Sequence, residues 1–139
     1  MNHARRVVNQ YLILELFGPE GTSPIEAELR YDPADPYAVA VVFLMAGHEV
    51  TWVFARDLLI RGVQGPVGDG DVVVFPSLDD DGRLVVGLEL SSPQGRALVE
   101  AKAQDVLEFL ARTRLVVWPG TEGDYLKLDE EIAAILVED

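Results

Sequence analysis

The amino-acid sequence predicts an α+β fold, an antiparallel sheet of about seven strands packed with helices. Two observations predict it. Apolar runs punctuated by Gly and Pro fill the chain as far as Lys102, and apolar residues at helical spacing follow it. Strands grouped first and helices grouped last favour an antiparallel sheet over alternating strand–helix units.

The elements follow in order. Met1–Arg6 reads as a loose tail, and residues 7–17, rich in Val, Leu, Ile, Tyr and Phe, as the first strand. Gly18, Pro19, Gly21 and Pro24 break the chain. Ile25, Ala27, Leu29 and Tyr31 then alternate with Glu26, Glu28 and Arg30, a strand with one wet face. Asp32-Pro33-Ala34-Asp35-Pro36 makes a tight turn, because each proline fixes φ and moves the preceding Asp out of the helical region. Residues 37–45 carry no charge, so that strand has two apolar faces and needs cover on both. Gly47-His48 turns the chain back into Val50–Phe54. This doubly apolar strand predicts self-association through a sheet face, with Val39, Val41, Phe43 and Trp52 as the candidate residues.

Ala55–Arg61 predicts a short helix with Leu58 and Leu59 inward, stopped by Gly62. Gly65–Asp71 predicts a long turn. Segments 72–75 and 84–90 predict strands joined by Asp79-Asp80-Asp81-Gly82, and Arg96–Glu100 a last short strand. Val106, Phe109, Leu110, Thr113 and Val117 recur at helical spacing until Pro119-Gly120. A final helix is expected after Asp129 as N-cap, with Ile132, Ile135 and Leu136 as its apolar stripe. No repeat or linker interrupts the 139 residues, which suit one domain.

Charge and composition exclude several functions. Acidic residues outnumber basic ones 24 to 11, a formal charge of −13, and the chain has no cysteine. Disulfides, thiolate catalysis and cysteine metal sites are excluded, and a reducing cytoplasm suits the composition. Phosphate backbones and anionic lipid both demand clustered cations, which are missing here. No segment reaches the roughly 20 apolar residues of a membrane helix. Tyr11–Phe17, behind Arg5 and Arg6, resembles a signal peptide only superficially, because Glu15 interrupts it and no small-residue cleavage site follows.

No catalytic, cofactor or metal constellation stands out. Gly65–Asp71 lies between a helix and a strand and lacks a lysine, the wrong order and chemistry for a phosphate loop. The aspartates at 69, 71 and 79–81 lack calcium-loop spacing. His3 and His48 have no partner at zinc spacing. No Gly-x-Ser-x-Gly is present, and Ser91 and Ser92 precede a proline as turn residues. Trp52 reads as core or interface packing, and Trp118, before Pro119, as a lid on the core or an interface anchor.

Several blocks exceed what composition would generate: Leu29–Val39, Thr51–Leu59, then Gly62, Pro66 and Gly68–Val72, Leu90–Gly95, Phe109–Thr113 and Pro119–Glu122. In this order and spacing, from about Leu12 to Val137, the chain resembles the SsgA-like protein family. It departs locally. Phe75-Pro76 stands where Trp-Pro is expected, and Trp118 stands in a stretch expected to be smaller.

The resemblance implies a small, cytoplasmic, non-enzymatic protein of actinomycete sporulation septation, placed at the septum. It implies action on the tubulin-like division protein FtsZ, or together with an SsgA-type paralogue. It also implies a Whirly-like sheet assembled as a homotrimer. That fold raises a second reading, a single-stranded nucleic-acid-binding module, against which the charge argues. Within the two most specific blocks, Arg30, Asp32, Asp35, Arg56 and Asp57 are the candidate partner-binding residues, with Trp118 added. The alternative for the five charged positions is an internal salt-bridge network fixing the Asp-Pro turn against the short helix.

Overall fold

The computed structural model describes residues 6–137 and, within the last helix, only the backbone of 128–130, 132, 133, 136 and 137. In chain order it contains β1 (Val8–Gly18), β2 (Gly21–Tyr31), β3 (Ala38–Met45), β4 (His48–Ala55) and α1 (Arg56–Gly62). There follow β5 (Val67–Asp69), β6 (Val72–Leu78), β7 (Leu84–Ser92), β8 (Gly95–Lys102), α2 (Ala103–Val116) and α3 (Glu122–Val137). The fold is α+β, with one antiparallel sheet in the order β4-β3-β2-β1-β8-β7-β6-β5. Two four-stranded meanders meet at a short seam, where only Glu15↔Glu100 and Leu16↔Val99 pair.

The sheet is curled. One apolar hollow of about 260 Å³ is lined by Val50 and Trp52 of β4, Phe43 of β3, Ile25 of β2, Leu16 of β1, Val99 of β8 and Leu90 of β7. Flat strands about 4.8 Å apart would hold β4 and β7 too far from each other to share so small a space.

The structure differs from the expected elements in four places. There are eight strands rather than seven, because Val67–Asp69 inside the glycine-rich segment pairs with β6. β2 begins at Gly21 and includes Pro24, which pairs with Glu15 of β1 and lies beyond the stretch paired with β3, an edge position where a proline is tolerated. β6 continues through Pro76, which pairs with Val86 of β7 beyond the stretch paired with β5, again an edge position. α3 starts at Glu122, so Asp129 lies inside the helix rather than capping it. Ile135, expected on a buried stripe, is 72% exposed; the side chains of Ile132 and Leu136 lie outside the described residues, as do His3 and the tail up to residue 5.

The inner face of the sheet carries the alternate residues that the pattern assigns to it. Leu12, Leu14, Ala27, Leu29, Val74, Val86, Leu88 and Ala101 are buried with Leu58 and Leu59 of α1 and Val106, Phe109 and Leu110 of α2. α2 is fastened across β1 where Gln10 Nε2 donates to the Asp105 carbonyl (2.8 Å) and Arg112 donates to the Asn9 carbonyl (3.0 Å). Two glycines permit close approach. A Cβ on Gly62 would lie 2.2 Å from Val74 Cγ1, so α1 packs directly on β6, and one on Gly87 would meet the Phe75 ring at 2.4 Å. Phe75, the departure from the family pattern, therefore lies flat on Gly87, its cross-strand partner.

Two of the four self-association candidates are almost fully buried within the chain itself. Val39 and Val41 are each 1% exposed, sealed inside this chain's own core, because their face of β3 is the one turned toward the helices. The other apolar face of β3 carries Ala38, Ala40, Val42 and Leu44. Phe43 and Trp52 stand on the inner face too, but at its far end, in the apolar hollow.

Candidate functional site

The Asp-Pro turn is built from its own residues. Asp32 accepts the Ala34 N–H at its Oδ1 (2.9 Å) and the Asp35 N–H at its carbonyl (2.8 Å). Tyr31 donates its hydroxyl to the Pro36 carbonyl at 2.9 Å. The Tyr37 carbonyl accepts the Arg56 N–H at 2.7 Å, satisfying a backbone donor at the start of α1 where Ala55 offers no side-chain cap. The two most specific sequence blocks thus meet at the α1 N-terminus.

Arg56 is the centre of this meeting. Its side chain is fully buried, donating to the Val117 carbonyl at 2.7 Å and to Glu122 Oε2 at 2.7 Å, with a longer 3.4 Å contact to the Thr113 carbonyl. The guanidinium carbon lies 4.8 Å from the centre of the Tyr31 ring, a cation–π geometry. Nε has no hydrogen-bond partner among the described residues. The end of α2 and the start of α3 are therefore tied to the Asp-Pro turn through one side chain.

Electrostatics follow from this burial. Burial raises the Tyr31 hydroxyl to about 12, against the opposing pull of the Arg56 charge. Burial also raises the Glu122 carboxyl, but the Arg56 hydrogen bond, the backbone N–H groups of Glu122 and Gly120 and the Arg56 charge outweigh it, and the net direction is down. Glu122 Oε1 takes the Gly120 N–H at 2.8 Å, so this carboxylate also closes the turn before α3.

The candidate residues separate into three places. Arg30, Asp32 and Asp35 do come together, around a shallow depression of about 220 Å³ shared with Val7, Ala38, Ala40 and Val53. Arg30 pairs with Glu28 and lies 3.9 Å from Glu49, on the outer face. Arg56 is an internal hub; its ionic partner is Glu122 rather than the aspartates of the turn. Asp57 is exposed and pairs with Arg61 one helical turn on, at 2.8 Å. Trp118 is 63% exposed, with the Arg114 guanidinium 5.8 Å from its ring centre, so it is no lid on the core. Sequence reasoning missed Glu122 as the Arg56 partner and Tyr31 as its platform; Glu122 lay inside a quoted block with nothing local to name its partner.

The aspartates at 79–81 form a hairpin turn. Asp79 Oδ1 accepts the N–H groups of Asp81 (2.9 Å) and Arg83 (2.8 Å). Among the described residues no group of three or more His, Asp or Glu side chains could hold a metal ion, and no helix is long and apolar enough to cross a membrane.

A family model described as the Streptomyces sporulation and cell division protein SsgA matches residues 25–122. The chain belongs to the SsgA family. It is 51% identical over 120 residues to the sporulation-specific cell division protein SsgB of Streptomyces coelicolor, covering 86% of this chain and 87% of that one. It is 47% identical to SsgB of Frankia casuarinae, covering 90% and 88%. A solved structure, reported with SsgB mutations that correlate with longitudinal cell division during sporulation of Streptomyces coelicolor, superposes with a TM-score of 0.83. It is 47% identical and covers 90% of this chain and 99% of that chain. The crystal structure of the SsgA-like sporulation-specific cell division protein of Thermobifida fusca superposes with a TM-score of 0.86 at 37% identity, covering 96% and 98%. SsgA-family membership places the chain among cell-division proteins, not enzymes. The matched segment ends at Glu122 and so includes the whole Arg56 hub.

Proposed function

We propose that this protein is a cytoplasmic adaptor of sporulation septation that recruits or stabilises FtsZ at septum sites, directly or with an SsgA-type paralogue. The observation that carries this reading is the 51% identity to a sporulation-specific cell division protein over 86% of the chain. The physical character of the molecule supports it. A −13 chain built around a rigid, internally tied sheet suits protein partners better than phosphate backbones.

The partner surface in this reading is the depression at the Asp-Pro turn. Arg30, Asp32 and Asp35 surround it, and Val53, 60% exposed, gives it an apolar floor. Backbone hydrogen bonds within the turn and the Arg56 hub beneath it hold this rim in one conformation, which lowers the ordering cost of binding. Arg56 acts as a positioning residue for that surface and touches no partner itself.

Co-sedimentation tests the reading. FtsZ polymers should pellet the protein, or polymerise further in its presence, and Val53→Glu should abolish the effect without unfolding the chain. If polymers leave it in the supernatant, alone and with an SsgA-type paralogue added, the proposal fails.

A further inference from the structure

The sheet has two edges, and they end differently. β5 is three residues long. β4 is eight residues long and pairs only with β3. Sheets blunt an exposed edge with short strands, lysine, proline or a bulge, because a row of unpaired N–H and C=O groups accepts any strand that fits. β5 is blunted by its length. β4 contains no lysine and no proline, and its register with β3 runs from Ala38↔Ala55 to Met45↔His48 without a bulge.

The ladder dictates which groups are free. The Arg56 N–H donates to the Tyr37 carbonyl at 2.7 Å. Antiparallel pairs alternate between bonded and unbonded, so the bonded pairs onward from Tyr37 are Val39↔Phe54, Val41↔Trp52 and Phe43↔Val50. Glu49, Thr51 and Val53 lie in the alternate pairs and turn both backbone groups away from β3. All three are exposed, and among the described residues no backbone bond from another element reaches them.

The two faces of this edge differ in chemistry. Val50 and Trp52 stand on the inner face and line the hollow of about 260 Å³, whose lining residues are all apolar. A strand added to β4 would lie about 4.8 Å beyond it, with its inner side chains against Val50 and Trp52. On the outer face, Glu28, Glu49, Asp32 and Asp35 lie around Val53 against Arg30.

We propose that β4 is a docking edge for an extended segment of a partner protein, added as one further strand, with apolar side chains on its inner face and basic ones on its outer face. Backbone bonds to Glu49, Thr51 and Val53 hold the segment, and the hollow selects its apolar residues. The acidic outer face calls for a cationic occupant. β4 of a second copy offers Glu49, Thr51 and Val53 on that face, with no cation among them. This docking does not depend on the identity of the partner at the Asp-Pro turn.

The probe is a fluorescently labelled octapeptide of alternating Val and Lys, made in two isomers. One is N-methylated on its valines and the other on its lysines, so each pairs through one edge only and cannot stack on itself. Both carry the same charge, so attraction to an acidic chain cannot separate them. Fluorescence anisotropy should show one isomer binding at least about tenfold more tightly than the other. It is the valine-methylated isomer if the segment runs antiparallel, because residues opposite Glu49, Thr51 and Val53 share their outer face and carry the bonding N–H groups. Thr51→Pro removes an N–H that faces the free edge and no ladder bond, so the fold should be kept and binding should fall about tenfold or more. Thr51→Val keeps the N–H and should bind as the parent does. Equal binding of the two isomers overturns the proposal, as does no binding of either, or binding unaffected by Thr51→Pro in a folded chain. So does a dimer of this chain that Thr51→Pro abolishes, which would show a second copy filling the edge. If Thr51→Pro does not fold, the isomer comparison on the unaltered chain decides alone.

Discussion

The two ends of the sheet's inner face are built from the same strands and finished in opposite ways. At one end Tyr31, Val39 and Phe54 are buried with α1 and the Arg56 hub. At the other end Leu16, Ile25, Phe43, Val50, Trp52 and Val99 surround an open hollow with no ion pair among its lining residues. The difference teaches where this chain spends polar specificity. The closed end depends on one buried cation whose partners come from three separate elements. The open end depends only on apolar area.

Removing the hub should therefore have the largest effect. Arg56→Met removes the donor to Glu122 Oε2 and to the Val117 carbonyl, and truncating one partner of a buried pair costs about 3–5 kcal/mol. Urea unfolding should show that loss, together with protease sensitivity of α3. Glu122→Gln should cost less, about 1–3 kcal/mol, since Glu122 keeps some solvent contact and the amide can still accept. At the open end Trp52→Ala should cost only about 2 kcal/mol, below the usual range for a fully buried Trp, because its pocket already admits water. If Trp52→Ala proved as damaging as Arg56→Met, the contrast between the two ends would be wrong.

Acid should separate the ends without mutation. The Glu122 carboxyl titrates lower in the folded chain than unfolded. Its contribution is present above the ordinary carboxylate range and is lost as pH falls through its depressed folded value. Amide protection near Tyr125, taken relative to the intrinsic exchange rate at each pH, should then fall at acid pH while the strands lining the hollow stay protected. Arg56→Met should abolish this pH dependence.

The same contrast explains what was legible in the sequence. Apolar alternation marked the inner-face residues of β2 and the buried stripe of α2 correctly, because period and burial are local properties. The sequence offers Arg56 either as a partner-binding charge or as part of an internal salt-bridge network with the Asp-Pro turn; it is internal, but its hydrogen-bond acceptors lie 57 to 66 positions away, where nothing local names them. Asp129 followed by two glutamates made a better local helix start than Thr-Glu-Gly-Asp, yet α3 begins at Glu122, where Arg56 holds the carboxylate and Gly123 rests near the Tyr37 hydroxyl. Tertiary contact overrode propensity there. The depression joining Arg30, Asp32 and Asp35 was half legible: the blocks named its charged residues, but only the strand register, Arg30 opposite Ala40 and Ala40 opposite Val53, sets the apolar Val53 beside them.

The smallest expected effect lies between the two ends, at the seam of the meanders. Glu15 and Glu100 face each other across β1 and β8, in one of only two pairs that join the halves. Burial raises the Glu100 carboxyl, and Asp79, Asp80 and Glu15 raise it further. A carboxyl that holds its proton more tightly in the fold opposes folding once ionised, so its penalty is present at neutral pH and fades as pH falls through the raised value. Like charges directly opposed on neighbouring strands cost about 0.2–1 kcal/mol, so Glu100→Gln should stabilise the protein by that amount at pH 7. The gain should shrink on acidification, opposite in sign to the Glu122 effect at the hub. An unchanged or lower stability for Glu100→Gln at pH 7 would mean that the seam tolerates its charges by some means other than simple repulsion between neighbours. The hub would then not be the only place where this acidic chain manages charge by geometry.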